Sequence, residues 1–180
     1  MMFRHLLIPL DGSKLAESVL PLAMVVAERF DSEVTLLRVV RSPHIIGGGE
    51  EFPALYVTMR EDLCREASEY LATKEQGWRA AGLKVNSQVR EGHSIADIIL
   101  ECADDLDVDA IAMCTHGRSG VMRWVFGSVA DKVLQQAQVP ILLIRAQPTE
   151  DVSLTAPTIE SFENMHSHDD PVDPPGKMAD

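Results

Sequence analysis

Two glycine-bearing segments carry the chemistry this sequence suggests. One is Thr115-His116-Gly117-Arg118-Ser119-Gly120, and the other is Gly127-Ser128-Val129-Ala130-Asp131. Gly117 and Gly120 let the backbone turn tightly and approach a ligand with no Cβ in the way. Gly127 and Ser128 stand where a new helix should begin, and a helix N-terminus offers unpaired N–H groups at the positive end of its dipole. A phosphate suits that place. Arg118 is either a fork of donors for phosphate oxygens or a solvated surface arginine. His116 is either a phosphate contact or a turn residue bonded to a carbonyl. Ser128 with Asp131 three residues on also matches a capping box, in which the side chains satisfy some of the same amides. The loop is not a Walker A, because no lysine stands between its glycines, so the usual equipment for rapid γ-phosphoryl transfer is missing.

These segments need elements to hold them. Residues 4–10 (RHLLIPL) read as a two-sided apolar strand closed by Asp11-Gly12-Ser13. Residues 14–30 follow with Leu15, Val19, Leu22, Val26 and Phe30 at helical spacing. Pro21 predicts a bend there, or a helix whose regular part starts late. Residues 33–40 (EVTLLRVV) are a second strand, completing a βαβ unit. Residues 41–57 read as a loop, 58–81 as a long helix, 83–90 as an alternating, half-buried or edge strand, and a helix opens after Gly92 and Ser94. Strand four is 109–115 (DAIAMCT), a helix runs over 128–138, and 139–145 (VPILLIR) is strand five. Pro140 confines that last strand to a sheet margin or places the proline at its start. A nearly all-apolar strand at a margin invites a partner, so a homodimer through 139–144 is expected.

Alternating strands and helices predict an α/β fold, an open, doubly wound, five-stranded parallel sheet. Ligands of such folds sit beyond the carboxyl ends of the strands, where the strand order reverses, so the loops after strands one, two and four matter. Asp11 ends strand one, where its carboxylate either accepts ribose hydroxyl hydrogens or caps the first helix.

Composition narrows the partners. The formal charge is −12 over 180 residues, and it is unevenly spread. Residues 1–145 hold 20 Asp/Glu against 15 Lys/Arg, a net of −5, while 146–180 hold 8 against Lys177 alone, a net of −7. That balance disfavours a nucleic-acid partner, whose affinity comes from neutralised phosphates, but leaves a mononucleotide open. No 18-residue apolar run points to a membrane, and no leader pattern opens the chain, so the cytoplasm is expected. Cys64, Cys102 and Cys114 have no CxxC spacing and read as buried thiols. The chain divides at 145 into a single domain and an acidic, proline-containing tail over 146–180 that is expected to be disordered.

The segments IPLDGS, VTLLRVV, AMCTHGRSGVMRWVFGSVADKVL and VPILLI resemble the universal stress protein (UspA) family across residues 1–145. The resemblance implies the Rossmann-like fold of the adenine nucleotide alpha hydrolases, with strand order 3-2-1-4-5. It further implies an ATP-binding regulatory protein of the stress response, with AMP or ADP as alternatives and Mg or Mn held through the phosphates. The family's signature is Gly, two residues, Gly, nine residues, then Gly with Ser or Thr. Here Gly117 and Gly127-Ser128 match, but Cys114 occupies the first glycine's place, adding a side chain where the ribose or adenine approaches. By resemblance Pro9, Leu10 and Asp11 form the segment after strand one whose aspartate approaches the ribose, and Val39 or its neighbour Val40, with Met113, lies against the adenine. Gly117, Arg118, Gly127, Ser128 and Val129 surround the phosphates, with His116 and Gly120 in the same loop. Two other functions stay open: a nucleotide-free dimeric interaction module in which Cys114 closes the pocket, and a dedicated ATP hydrolase or pyrophosphatase.

Overall fold

The computed structural model describes residues 3–42, 53–115 and 127–145. Its sheet has five parallel strands in the order β3-β2-β1-β4-β5: β1 is His5–Pro9, β2 Glu33–Arg41, β3 Lys84–Gly92, β4 Ala110–Cys114 and β5 Ile141–Ile144. The order and parallel pairing agree with the sequence reading.

Period-two alternation sorts each strand's side chains to opposite faces. Leu6, Ile8, Val34, Leu36, Ala110, Ala112 and Cys114 face one core, which is covered by α1 (Lys14–Glu17), α2 (Leu20–Phe30) and α3 (Pro53–Ala80). Leu7, Leu37, Ile111 and Met113 face the other, under α4 (Ile95–Asp105) and α5 (Ser128–Gln136). Leu6, Leu7 and Ile8 are fully buried, so β1 anchors both layers. Each such side chain contributes about 1.5–3 kcal/mol of burial free energy. β1 is therefore a rigid base for whatever follows Pro9.

Several boundaries differ from the sequence reading. The helix expected over 14–30 is two helices, broken at Ser18 and Val19. Pro21 falls in the first turn of α2, where its missing N–H costs no intrahelical bond. α3 begins at Pro53 instead of 58, shortening the expected loop from its C-terminal side, and proline tolerates a first helical position for the same reason. α5 stops at Gln136 and β5 starts at Ile141, directly after Pro140. The expected disorder of 146–180 lies outside the described residues. Among those described, no helix is long and apolar enough to cross a membrane.

Candidate functional site

The carboxyl ends of β1, β2 and β4 open at one margin of the sheet, where strand order reverses between β1 and β4. β1 stays paired with β2 as far as Pro9↔Leu37. With β4 it shares only Leu6↔Ala110 and Leu7↔Ile111, although β4 continues to Cys114. The two strands thus part over their last residues and leave a crevice at the switch point, where open α/β sheets take ligands.

On the β1 side of this crevice, the backbone N–H of Leu10 donates to the Leu37 carbonyl at 2.8 Å and Leu10 is buried. Asp11 follows, half-buried, with its Oδ1 accepting from the Ser13 N–H at 2.9 Å and from the Ser13 hydroxyl at 2.5 Å. Ser13 is the N-cap of α1 and accepts in turn from the Ala16 N–H at 3.1 Å. Asp11 therefore organises the helix start through Ser13, and the bonds drawn to Ser13 use only one of its two oxygens. The two readings offered for this carboxylate, helix start and ribose acceptor, are compatible.

On the β4 side, the Thr115 N–H bonds to the Ile144 carbonyl at 2.9 Å, and the Thr115 carbonyl accepts from the Gly127 N–H at 3.1 Å. Gly127 thereby brings the start of α5 back to the end of β4. Gly127 is the N-cap, with no side-chain hydrogen bond, and the first intrahelical bond runs from the Asp131 N–H to the Gly127 carbonyl at 2.9 Å. The capping box expected from Ser128 and Asp131 does not form. Ser128 lies inside the helix as its first residue, and Asp131 Oδ2 accepts from Gln135 Nε2 at 3.0 Å instead. The amides of Ser128, Val129 and Ala130 precede the first intrahelical bond, so they are the positive end of the α5 dipole.

Met113 is buried on the α4–α5 face, and Val39 and Val129 pack against the same cluster. Three predicted residues from three elements thus border one apolar cluster. Val40 points to the opposite face by alternation, so of the two valines Val39 is the one at this cluster. Pro9 closes β1 and is half-buried. His116, Gly117, Arg118 and Gly120 lie outside the described residues.

Cys114 is placed differently from what its motif position suggests. Its thiol is turned away from the Met113 cluster, into the core beneath α1, 3.1 Å from the Ser18 hydroxyl and 3.8 Å from the Ala16 carbonyl. Burial pushes this thiol above the ordinary cysteine range, with Ser18 pulling the other way. A raised thiol is a poor nucleophile at neutral pH, which fits a packing role. Among the described residues no group of three or more His, Cys, Asp or Glu side chains forms a metal site.

A polar cluster beside the turn was not anticipated. Arg38, Tyr70, Glu17 and Lys74 gather next to Gly12, on the α1–α3 face. The available signal was Arg38 itself, the lone charge in the apolar run 34–40.

A parallel sheet of order 3-2-1-4-5, whose β1 and β4 part at the switch point beside the start of α5, defines an open, doubly wound α/β protein. Residues 2–145 match the model of the universal stress protein family. Universal stress protein MJ0531 of Methanocaldococcus jannaschii is 30% identical over 149 residues, covering 83% of this chain and 86% of its own length. The solved structure of hypothetical protein MJ0577 superposes with a TM-score of 0.73 at 24% identity, covering 83% of this chain and all of that one. A universal stress protein from Archaeoglobus fulgidus, solved in complex with dAMP, superposes with a TM-score of 0.50 at 22% identity, covering 79% of this chain and 98% of its own. The chain belongs to the universal stress protein family.

Proposed function

We propose that this protein binds an adenine nucleotide, ATP first and AMP or ADP as alternatives, at the β1–β4 switch point. It acts there as a cytoplasmic regulator of the stress response, with at most slow hydrolysis. The observation that carries this reading is the parting of β1 and β4 between the Asp11 turn and the start of α5. The apolar wall of Val39, Met113 and Val129 takes the base, Asp11 the ribose, and the amides at Gly127, Ser128 and Val129 the phosphates. Arg118 and the glycines 117 and 120 complete the phosphate side, and Mg or Mn enters on the phosphates. That a relative has been solved with dAMP supports an adenine ligand. Calorimetry with ATP and Mg²⁺ should give saturable heat, and acid extraction of purified protein should release adenine nucleotide. No heat at ~1 mM ATP, the weak end of specific affinity, overturns the reading.

The direction of the Cys114 thiol bears on the nucleotide-free alternative, which needs that side chain to block the pocket. With the sulfur beneath α1, Cys114→Gly is expected to leave ATP affinity within about twofold. It should instead lower stability by about 1–2 kcal/mol, from lost packing and a glycine within a strand. A gain of affinity in calorimetry would favour the blocked-pocket reading.

A homodimer through β5 belongs to the same proposal. The carbonyls of Pro140 and Ile144 accept from the amides of Ile111 in β4 and of Thr115 just beyond it, at 3.0 and 2.9 Å. Within a strand the N–H and C=O of one residue point the same way, so those of Leu143 point outward. All four side chains of β5 remain partly exposed in the single chain. Leu143→Pro, which removes an outward donor and spares the β4 ladder, should convert dimer to monomer in light scattering, with the α/β circular dichroism retained.

A further inference from the structure

Arg38 stands half-buried near the end of β2, on the face covered by α1 and α3. Its Nη1 donates to the carbonyl of Leu10 over 3.4 Å, a long hydrogen bond. A Cβ placed on Gly12 would lie 3.3 Å from Nη1 and 3.4 Å from Nη2. The guanidinium thus lies directly against position 12, where a Cβ would make a slightly tight contact, and Gly12, at φ +80°, turns the chain around it. On its far side Arg38 faces the Tyr70 ring of α3, with Cζ 6.0 Å from the ring centroid. Tyr70 is held in turn, because its hydroxyl donates to Glu17 Oε1 at 2.9 Å. Lys74 binds Glu17 Oε2 at 2.8 Å and lies 5.5 Å from the centroid of the same ring. A buttress runs from α3 through Arg38 to the two residues flanking Asp11.

A guanidinium can stack on an aromatic ring and donate in its own plane at once, whereas an ammonium is a point charge that does not fill the gap between ring and turn. We infer that Arg38 is a positioning residue: set between the Tyr70 ring and the Leu10–Gly12 backbone, it holds the turn that presents the Asp11 carboxylate to the ribose. This rests on the nucleotide reading above. It adds that discrimination for ribose hydroxyls is set from β2 and α3, by a side chain that does not itself touch the sugar.

The test has a ligand-free arm and a nucleotide arm, both on the full chain. In the ligand-free protein, Arg38→Met should speed amide exchange at Ser13, whose N–H is held by Asp11, by about tenfold, while amides in β1 and α4 keep their rates. In calorimetry, the affinity ratio of ATP to 2′,3′-dideoxy-ATP, about tenfold in the parent for lost charged hydrogen bonds, should fall toward one. Arg38→Lys, which keeps the charge, should show roughly half of each effect on a logarithmic scale. It decides the matter alone if Arg38→Met does not fold. Unchanged Ser13 exchange together with an unchanged ratio overturns the positioning role while leaving nucleotide binding intact. A parent protein that binds no ATP overturns the ribose assignment along with the nucleotide reading, and the exchange arm then reports separately on whether Arg38 holds the turn.

Discussion

Asp11→Ala is expected to weaken ATP binding by about 10- to 100-fold, the equivalent of one charge-assisted hydrogen bond lost with its geometry. Two losses combine in this variant. The carboxylate proposed to take the ribose is gone, and so is the Oδ1 acceptor that holds both the backbone N–H and the hydroxyl of Ser13. Asp11→Asn separates them, since an amide oxygen still accepts from Ser13 while the charge is removed. The asparagine variant should therefore keep the melting temperature of the parent and lose only part of the affinity. The alanine variant should also lose about 0.5–2 kcal/mol of stability, because Ser13 is the N-cap of α1 and loses the group that orients it. Calorimetry against ATP, paired with thermal melts, checks both statements. Equal affinities in all three proteins would remove Asp11 from the site.

The adenine side of the crevice responds differently, because its residues are apolar and shared with the core. Met113 is buried among α4 and α5 residues, so shortening it disturbs the fold and the base wall together. Changes of charge at Asp11 are the cleaner probe of the site for that reason.

What was readable in the sequence follows physical range. The parallel sheet with helices on both faces was legible because strand alternation, helix periodicity and the right-handed crossover are repeated many times along the chain, whereas the strand order came with the family resemblance. The glycine segment at Gly127 was legible as a helix start, since a residue without a side chain followed by a serine and an apolar period is a local signal. Its details were not. A capping box written as Ser128 to Asp131 looks the same whether the cap is Ser128 or Gly127, and only the bond from the Asp131 N–H to the Gly127 carbonyl decides which. Cys114 was misleading for a related reason. Its place in the motif is at the strand end, but the face its thiol takes is fixed by the parity of β4 and by the Ser18 hydroxyl of a helix 96 residues away in sequence. Arg38 was visible as an anomaly, a charge in an apolar strand, but its meaning depends on Tyr70 and Gly12, which no spacing rule connects to it.

Gly12→Val should be the most damaging single change at the site that leaves every other side chain in place. Gly12 has φ +80°, a region that costs a residue with a side chain about 1–3 kcal/mol and suits β-branched residues least. The side chain would also begin 3.3 Å from the Arg38 guanidinium, which must shift by a few tenths of an ångström to admit it. Strain and displacement together predict a loss of about 2–4 kcal/mol, or a melting temperature lowered by roughly 5–12 °C for a chain of this size. Nucleotide affinity should fall with it, since the turn carrying Asp11 must open to admit the new group. Gly77→Ala is the matched control with the opposite sign. Gly77 is exposed within α3, a Cβ there would meet nothing within 4 Å, and helix propensity alone predicts a gain of about 0.5–1 kcal/mol. A melt in which the two variants move together would mean that the backbone at Gly12 is free to relax, and the turn would then be too pliant to hold a carboxylate in one place.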